Sequence, residues 1–253
     1  MNNIFNIIFT SFNLGYLNIK ERYIRSFIGP FWISISLFIQ IIILGIVFGF
    51  LFKQNLNEFL PHLSIGLMMW MFFQSILSES CNLSIESSHL LLNSKVNFRV
   101  LILQMISRNI LIMFHHLIII ILILFYFKIS INLSYPFLIF SILILGFFSY
   151  SISMIIAILS TRFNDIQQIV LSTMSIIFYL TPIIWKIEFL GERASILNYN
   201  IFYHMIEIFR AILLHDLEKI IFHFSICVVV TFILTIFSEI IYKKFKNKIV
   251  YYL

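Results

Sequence analysis

Charge is scarce in this chain. Only 11% of its 253 residues are Asp, Glu, Lys or Arg, against roughly 25% in soluble domains, while 61% are hydrophobic and the mean hydropathy is +1.02. So little polar surface cannot cover a water-facing globule, which excludes soluble enzyme folds and makes this a membrane protein. At about 20 residues for each span, six spans and their loops use almost the whole length, and no separate soluble domain fits.

Glycine is equally sparse. The seven glycines form no G-x-x-x-x-G-K-[ST] run and no G-x-G-x-x-G, so any ATP must be bound by a partner chain. No G-x-S-x-G is present to support a Ser-His-Asp hydrolase. The two cysteines, Cys81 and Cys227, are too few for a disulfide framework or a four-ligand zinc site and read as packing residues. Acidic residues hardly occur inside the apolar runs: Glu79 and Glu239 lie near span ends, which leaves no proton relay and argues against a secondary transporter. His115 and His116 are the best metal candidates, yet neighbours on a helix point about 100° apart and cannot face one ion together. They read as polar side chains bonded to adjacent helices, with no metal site. The first apolar patch, Ile4 to Phe9, has no small-residue cleavage site after it and is expected to persist in the mature chain.

The apolar pattern predicts an all-α membrane protein. Residues 1–28 place Ile4, Ile8, Phe12, Gly15, Tyr16 and Ile19 at helical intervals before a basic run that includes Lys20, Arg22 and Arg25, the pattern of an amphipathic cytoplasmic interface helix. Residues 29–253 then form a six-span transmembrane domain, with spans expected at 31–52, 61–77, 98–127, 136–160, 166–185 and 220–242. Gly45 and Gly49 make a small-xxx-small pattern in the first span. The second span is the least apolar, a polar loop is expected over 78–97, and 186–219 should hold one or two short interfacial helices. Aromatic residues make up 17% of the chain; most pack against lipid or fill core, and a minority could stack on the apolar faces of sugars.

Lys and Arg set the orientation. One side collects Lys20, Arg22, Arg25, Lys95, Arg99, Arg162, Lys243, Lys244, Lys246 and Lys248, against Lys53 and Lys128 in the two short loops opposite. Both termini are therefore expected in the cytoplasm, and the net charge of +6 reads as orientation, with no nucleic-acid partner.

Several segments together resemble the membrane-spanning permease subunit of polysaccharide-exporting ABC transporters, the family of O-antigen, capsule and teichoic-acid exporters. They are Gly15-Tyr16-Leu17, Arg22 to Trp32, Ile65-Gly66-Leu67, Glu79-Ser80-Cys81-Asn82, Arg108 to His116, Thr161 to Ile166, Phe178 to Trp185 and Phe202 to Arg210. Where relatives often carry proline, before span three and before the Tyr-His pair, this chain has Asn97 and Ile201. The resemblance implies a homodimer in the bacterial inner membrane with separate nucleotide-binding ATPase subunits on its cytoplasmic face. It implies no catalytic residue and no cofactor in this chain, with ATP and Mg on the partner, and a lipid-linked polysaccharide as cargo, carried on undecaprenyl pyrophosphate. It places an ATPase-coupling helix on Glu86, Ser87, Ser88, His89, Leu90, Leu91 and Asn93, and short periplasmic gate helices before span six, with Tyr203, His204, Glu207 and Arg210 as gate candidates. Arg22 and Arg25 are the basic residues best placed to attract the pyrophosphate head of the carrier, or they only fix orientation. The rival class is a membrane-embedded glycolipid-modifying transferase, which would need a cluster of Asp, His or metal ligands at one membrane face.

The charge asymmetry sets a direct test. Single cysteines at Asn55, Asn132 and Asn198 should react with a membrane-impermeant maleimide from outside, and those at Ser88, Asn164 and Asn247 should be protected. Labelling at Ser88 from outside inverts the topology.

Overall fold

The computed structural model describes residues 4–22, 24, 26–29, 31–93, 96–129, 136–214 and 217–252. The helices are α1 (Ile4–Arg22), α2 (Phe31–Leu51), α3 (Leu56–Glu86), α4 (Ser88–Asn93), α5 (Phe98–Tyr126), α6 (Phe137–Arg162), α7 (Asp165–Leu180), α8 (Ile201–Leu214) and α9 (Leu217–Phe245). Two 3₁₀ stretches, Ile187–Tyr199 and Ile249–Tyr252, complete the described elements, and no strand occurs among them. Five helices, α2, α3, α5, α6 and α9, are long and apolar enough to cross a membrane. The sixth, α7, has 16 residues, about 24 Å of helix against roughly 30 Å of hydrocarbon.

The bundle is organised around α3. It packs against α2, α5, α6, α7 and α8, and 72% of its most apolar stretch is enclosed, against 22–44% for the other four. A helix with protein on every side can carry more polar residues than one facing lipid, which explains the low apolarity of this span. Phe59, Leu63, Ile65, Met68, Met69, Phe73 and Ile76 fill the core along it. Phe73 meets Phe202 of α8 and Phe148 of α6 edge-on, with ring centroids 5.1 and 6.0 Å apart.

Small residues set the close contacts, as expected where lipid supplies no hydrophobic drive between helices. A Cβ at Gly45 or Gly49 would overlap Leu60 or Leu56, the leucines that α3 inserts into the glycine notch of α2. At Gly15 the approach is backbone to backbone: a Cβ there would lie 3.0 Å from Arg108 N and Gln104 O of α5. With Ser11 Oγ donating to Val100 O at 3.4 Å, and Ile19 buried, this lays α1 along the first half of α5. Its other face, Ile8, Phe9, Phe12, Tyr16 and Leu17, is exposed.

Three expectations are corrected. The polar loop over 78–97 is shorter, because α3 runs on to Glu86 and its polar residues find partners in protein: Ser80 Oγ donates to Ile76 O at 2.6 Å, and Glu79 pairs with Arg108. The fifth apolar helix stops at Leu180, since Pro182 disfavours helix at the residue before it. The segment expected to lie at the interface holds α8, which is enclosed by protein from Phe202 to Leu213.

The α1–α5 contact is testable. Gly15→Ala is expected to cost about 1–3 kcal/mol as overpacking, to lower the thermal midpoint in detergent, and to expose a cysteine placed at the buried Ser11 position to maleimide. Unchanged protection of that cysteine would place α1 elsewhere.

Candidate functional site at the two ends of the bundle

At one end, α8 turns the residues 202–213 into the bundle. Asn200 starts it: Oδ1 accepts from Phe202 N at 3.0 Å and Tyr203 N at 3.3 Å, while Nδ2 donates to Thr181 Oγ1 at 2.8 Å. A proline at position 201 would occupy the first helical turn, where its missing N–H is harmless. Asn97 does the same for α5, its Oδ1 accepting from Arg99 N at 3.0 Å.

Glu207 and Arg210, one turn apart on α8, form a buried ion pair. Arg210 Nη2 also donates to Pro182 O at 3.1 Å and to His62 O at 3.2 Å. One guanidinium thus joins α8, α3 and the non-helical turn over 181–185. Gly66 makes room for it, since a Cβ there would lie 2.6 Å from the same nitrogen. An open cleft of about 280 Å³ borders this joint, lined by Glu58, His62, Lys186, Glu188, Glu207 and Arg210 among others. On its rim Lys186 pairs with Glu58 at 3.1 Å, an exposed contact of little energetic weight.

His204 joins α8 to α9. Its Nε2 lies 3.0 Å from Asn198 O, and a carbonyl only accepts, so Nε2 carries the proton. Its Nδ1 is then the acceptor for His223 Nδ1–H at 2.7 Å; the tautomers are assigned from this network. Burial holds His204 below its ordinary pKa, opposed by the Asn198 hydrogen bond and the Glu207 charge. Burial, reinforced by the negative charge of Glu207, pushes the Tyr203 hydroxyl up to about 12. The four gate candidates therefore sit together on one buried helix. They tie α8 to α3 and α9.

The wall between α2, α3 and α7 carries a second cleft, of about 330 Å³, that sequence reasoning did not single out. Gln40 and Gln74 line it with Ser78, Ser175 and the rings of Trp70, Phe178 and Tyr179. Both glutamines are exposed in the middle of spanning helices, where an amide facing hydrocarbon is costly. The signal was available as two glutamines within otherwise apolar runs.

At the opposite end lie the residues of the expected coupling helix. Glu86 closes α3, Ser87 N donates back to Leu83 O at 3.0 Å, and α4 follows as six residues. Asn93 Nδ2 and His89 Nδ1 are 2.8 Å apart. Leu91 is buried in this chain, while Leu90 and Leu92 are 45% and 53% exposed and Ile85 is 60% exposed. Nearby ion pairs fix the platform: Arg108 to Glu79 at 2.6 Å, with Asn109 Nδ2 donating to the same carboxylate oxygen at 2.6 Å, and Arg99 to Glu239 at 2.5 Å. Arg25 and the side chain of Arg22, the carrier head-group candidates, lie outside the described residues.

Comparison with known proteins follows the same lines. The family model of the ABC-2 type transporter matches residues 14–214. The O-antigen export system permease protein RfbA of Klebsiella pneumoniae is 26% identical over 253 residues, covering 94% of this chain and 96% of that protein. Another RfbA of the same organism is 24% identical over 205 residues, covering 75% of this chain and 78% of that protein.

The Arg210 joint is expected to behave as a unit. Arg210→Leu alone strands the Glu207 carboxylate and should destabilise by about 3–5 kcal/mol, whereas Glu207→Leu combined with Arg210→Leu should recover part of that loss. A double-mutant cycle on unfolding in detergent measures the coupling; additive effects would show that the pair does not act as one element.

Proposed function

Since this chain belongs to the ABC-2 type transporter family, we propose that it is the permease subunit of an ATP-driven exporter. It moves undecaprenyl-pyrophosphate-linked, O-antigen-like polysaccharide across the bacterial inner membrane. The observation that carries the cargo assignment is the cleft of Gln40, Gln74, Trp70, Phe178 and Tyr179 in the wall of the bundle. Amides donate to and accept from sugar hydroxyls, and rings stack on the apolar faces of pyranoses, so such a surface can slide along a glycan without recognising one sugar. The similarity to RfbA across nearly the full length of both chains supports the same cargo class.

Two copies with their clefts facing each other would enclose a path that a single bundle leaves open at the side. The buried joint of Glu207 and Arg210 would seat α8 as a gate at the outer end, with Tyr203 and His204 fixing it to α9. At the cytoplasmic end, α4 would dock on an ATPase subunit that binds ATP and Mg, through Leu90, Leu92 and Ile85, while Leu91 anchors α4 to its own chain. His89, Ser88 and Asn93 would shape that short helix, and Glu86 and Ser87 its junction with α3. Arg22 and Arg25 would attract the pyrophosphate head where the cargo enters. Both termini would then lie in the cytoplasm.

Two variants separate cargo from coupling. Gln40→Leu with Gln74→Leu is expected to reduce surface glycan about tenfold or more, the value of losing two net hydrogen bonds of about 1 kcal/mol each, with membrane level and ATPase co-purification unchanged. Leu90→Ala with Leu92→Ala is expected to lose the ATPase in co-purification while the permease still inserts. Unchanged export in the glutamine variant would overturn the cleft as the glycan path, and retention of the ATPase in the leucine variant would overturn the α4 docking.

A further inference from the structure

A different part of the bundle, where α2, the start of α3 and the end of α5 meet, leaves an open groove of about 380 Å³. Phe38, Ile41 and Ile42 of α2, Leu60 of α3, and Leu122, Ile123, Tyr126 and Phe127 at the end of α5 line it. Tyr126 contributes the single side-chain polar atom of that lining. Phe38, Ile42, Leu122 and Tyr126 are exposed, so in a membrane the groove opens to hydrocarbon or to another apolar surface. Its size and lining suit a flexible alkyl chain and offer nothing to a polar headgroup.

The charge that would hold such a headgroup is the next residue along the chain from the lining. Lys128 follows the last lining residue, Phe127, and closes α5 at φ +56°. Its N donates to Phe125 O at 3.1 Å and Ile129 N donates to Leu124 O at 3.0 Å, the hydrogen bonding of a left-handed helix cap in which glycine is the usual residue. The side chain is exposed and makes no ion pair among the described residues. The dipole of α5 accounts for a cation at this end, but not for an apolar slot leading up to it. Lys53 closes α2 in the same way, at φ +51°, yet the residue before it is covered: Phe52 packs on Phe48 and Phe189, with ring centroids 5.7 and 5.4 Å apart.

We propose that this groove is a binding site for an anionic glycerophospholipid, with one acyl chain along α2 and α5 and its phosphate on the Lys128 ammonium. The site is independent of the exported cargo. It would fasten the short end of α5 to the leaflet on that side and keep the α2–α5 seam filled.

Native mass spectrometry of the full chain, released from micelles holding equal phosphatidylglycerol and phosphatidylcholine, reads the occupant directly. The wild type should retain phosphatidylglycerol preferentially. Lys128→Asn removes the charge with a residue that tolerates positive φ, and should lower that preference roughly fivefold, the weight of one lysine at an anionic lipid surface. Lys53→Asn should leave it unchanged, and Leu122→Trp, which fills the groove, should lose both lipids. An unchanged preference in Lys128→Asn, or an equal fall in Lys53→Asn, overturns the site, as does full lipid retention in Leu122→Trp. A lipid-free wild-type dimer that Leu122→Trp separates would assign the groove to a second copy and also overturn it. If Leu122→Trp does not fold, the two lysine variants still decide.

Discussion

A chain that leaves its helix inside a packed bundle must give its freed carbonyls donors, and here one guanidinium meets that demand. Pro182 ends the helical run, and its carbonyl is taken by Arg210, which is itself neutralised by Glu207. The same side chain reaches His62 O on α3, so the turn, the gate-end helix and the central helix are positioned by one group. Removing it would leave an uncompensated, largely buried carboxylate and an unpaired carbonyl. The enclosure of α8, the placement of Phe202 against Phe73 and the course of the chain after α7 all follow from that arrangement.

The other end is tied together by two carboxylate hubs. Glu79 gathers Arg108 and Asn109 between α3 and α5. Glu239 gathers Arg99 and the Tyr150 hydroxyl, which donates at 3.1 Å, between α9, α5 and α6. Charge is thus rare but concentrated, and three of the eleven acidic residues tie five helices together. Between the hubs the helices meet through small residues and hydroxyls, such as Ser151 with Thr235 at 2.9 Å and Thr161 with Ser84 at 2.6 Å.

Composition and periodicity were enough for the all-α membrane class, because apolar runs of span length have few other fates in water. They misplaced the ends of α3, because a polar residue reads as a loop signal unless its partner is known, and Glu79 finds Arg108 29 residues away in the chain. The gate role of Tyr203, His204, Glu207 and Arg210 was suggested only by a resemblance. Their amphipathic spacing suggested an interface helix, whereas the charged face turns inward because Arg210 meets carbonyls that no sequence pattern announces. The two glutamines were legible as exceptions in apolar runs, but their convergence with Trp70 and Phe178 depends on α2, α3 and α7 meeting in space. Leu91 shows the same limit in small: three consecutive leucines look equivalent in the sequence, and the fold buries one of them.

Gly66 and Arg210 occupy overlapping space, which constrains how a sequence of this kind can drift. A side chain at position 66 would displace a guanidinium already bound to a carboxylate and two carbonyls, so the first mutational step away from glycine is penalised by the whole arginine network. A smaller residue at 210 would relieve the crowding but strand Glu207 and the Pro182 carbonyl. Neither position can change first without loss, so the buried arginine of α8 and the glycine of α3 are coupled, although 144 residues separate the two in the chain.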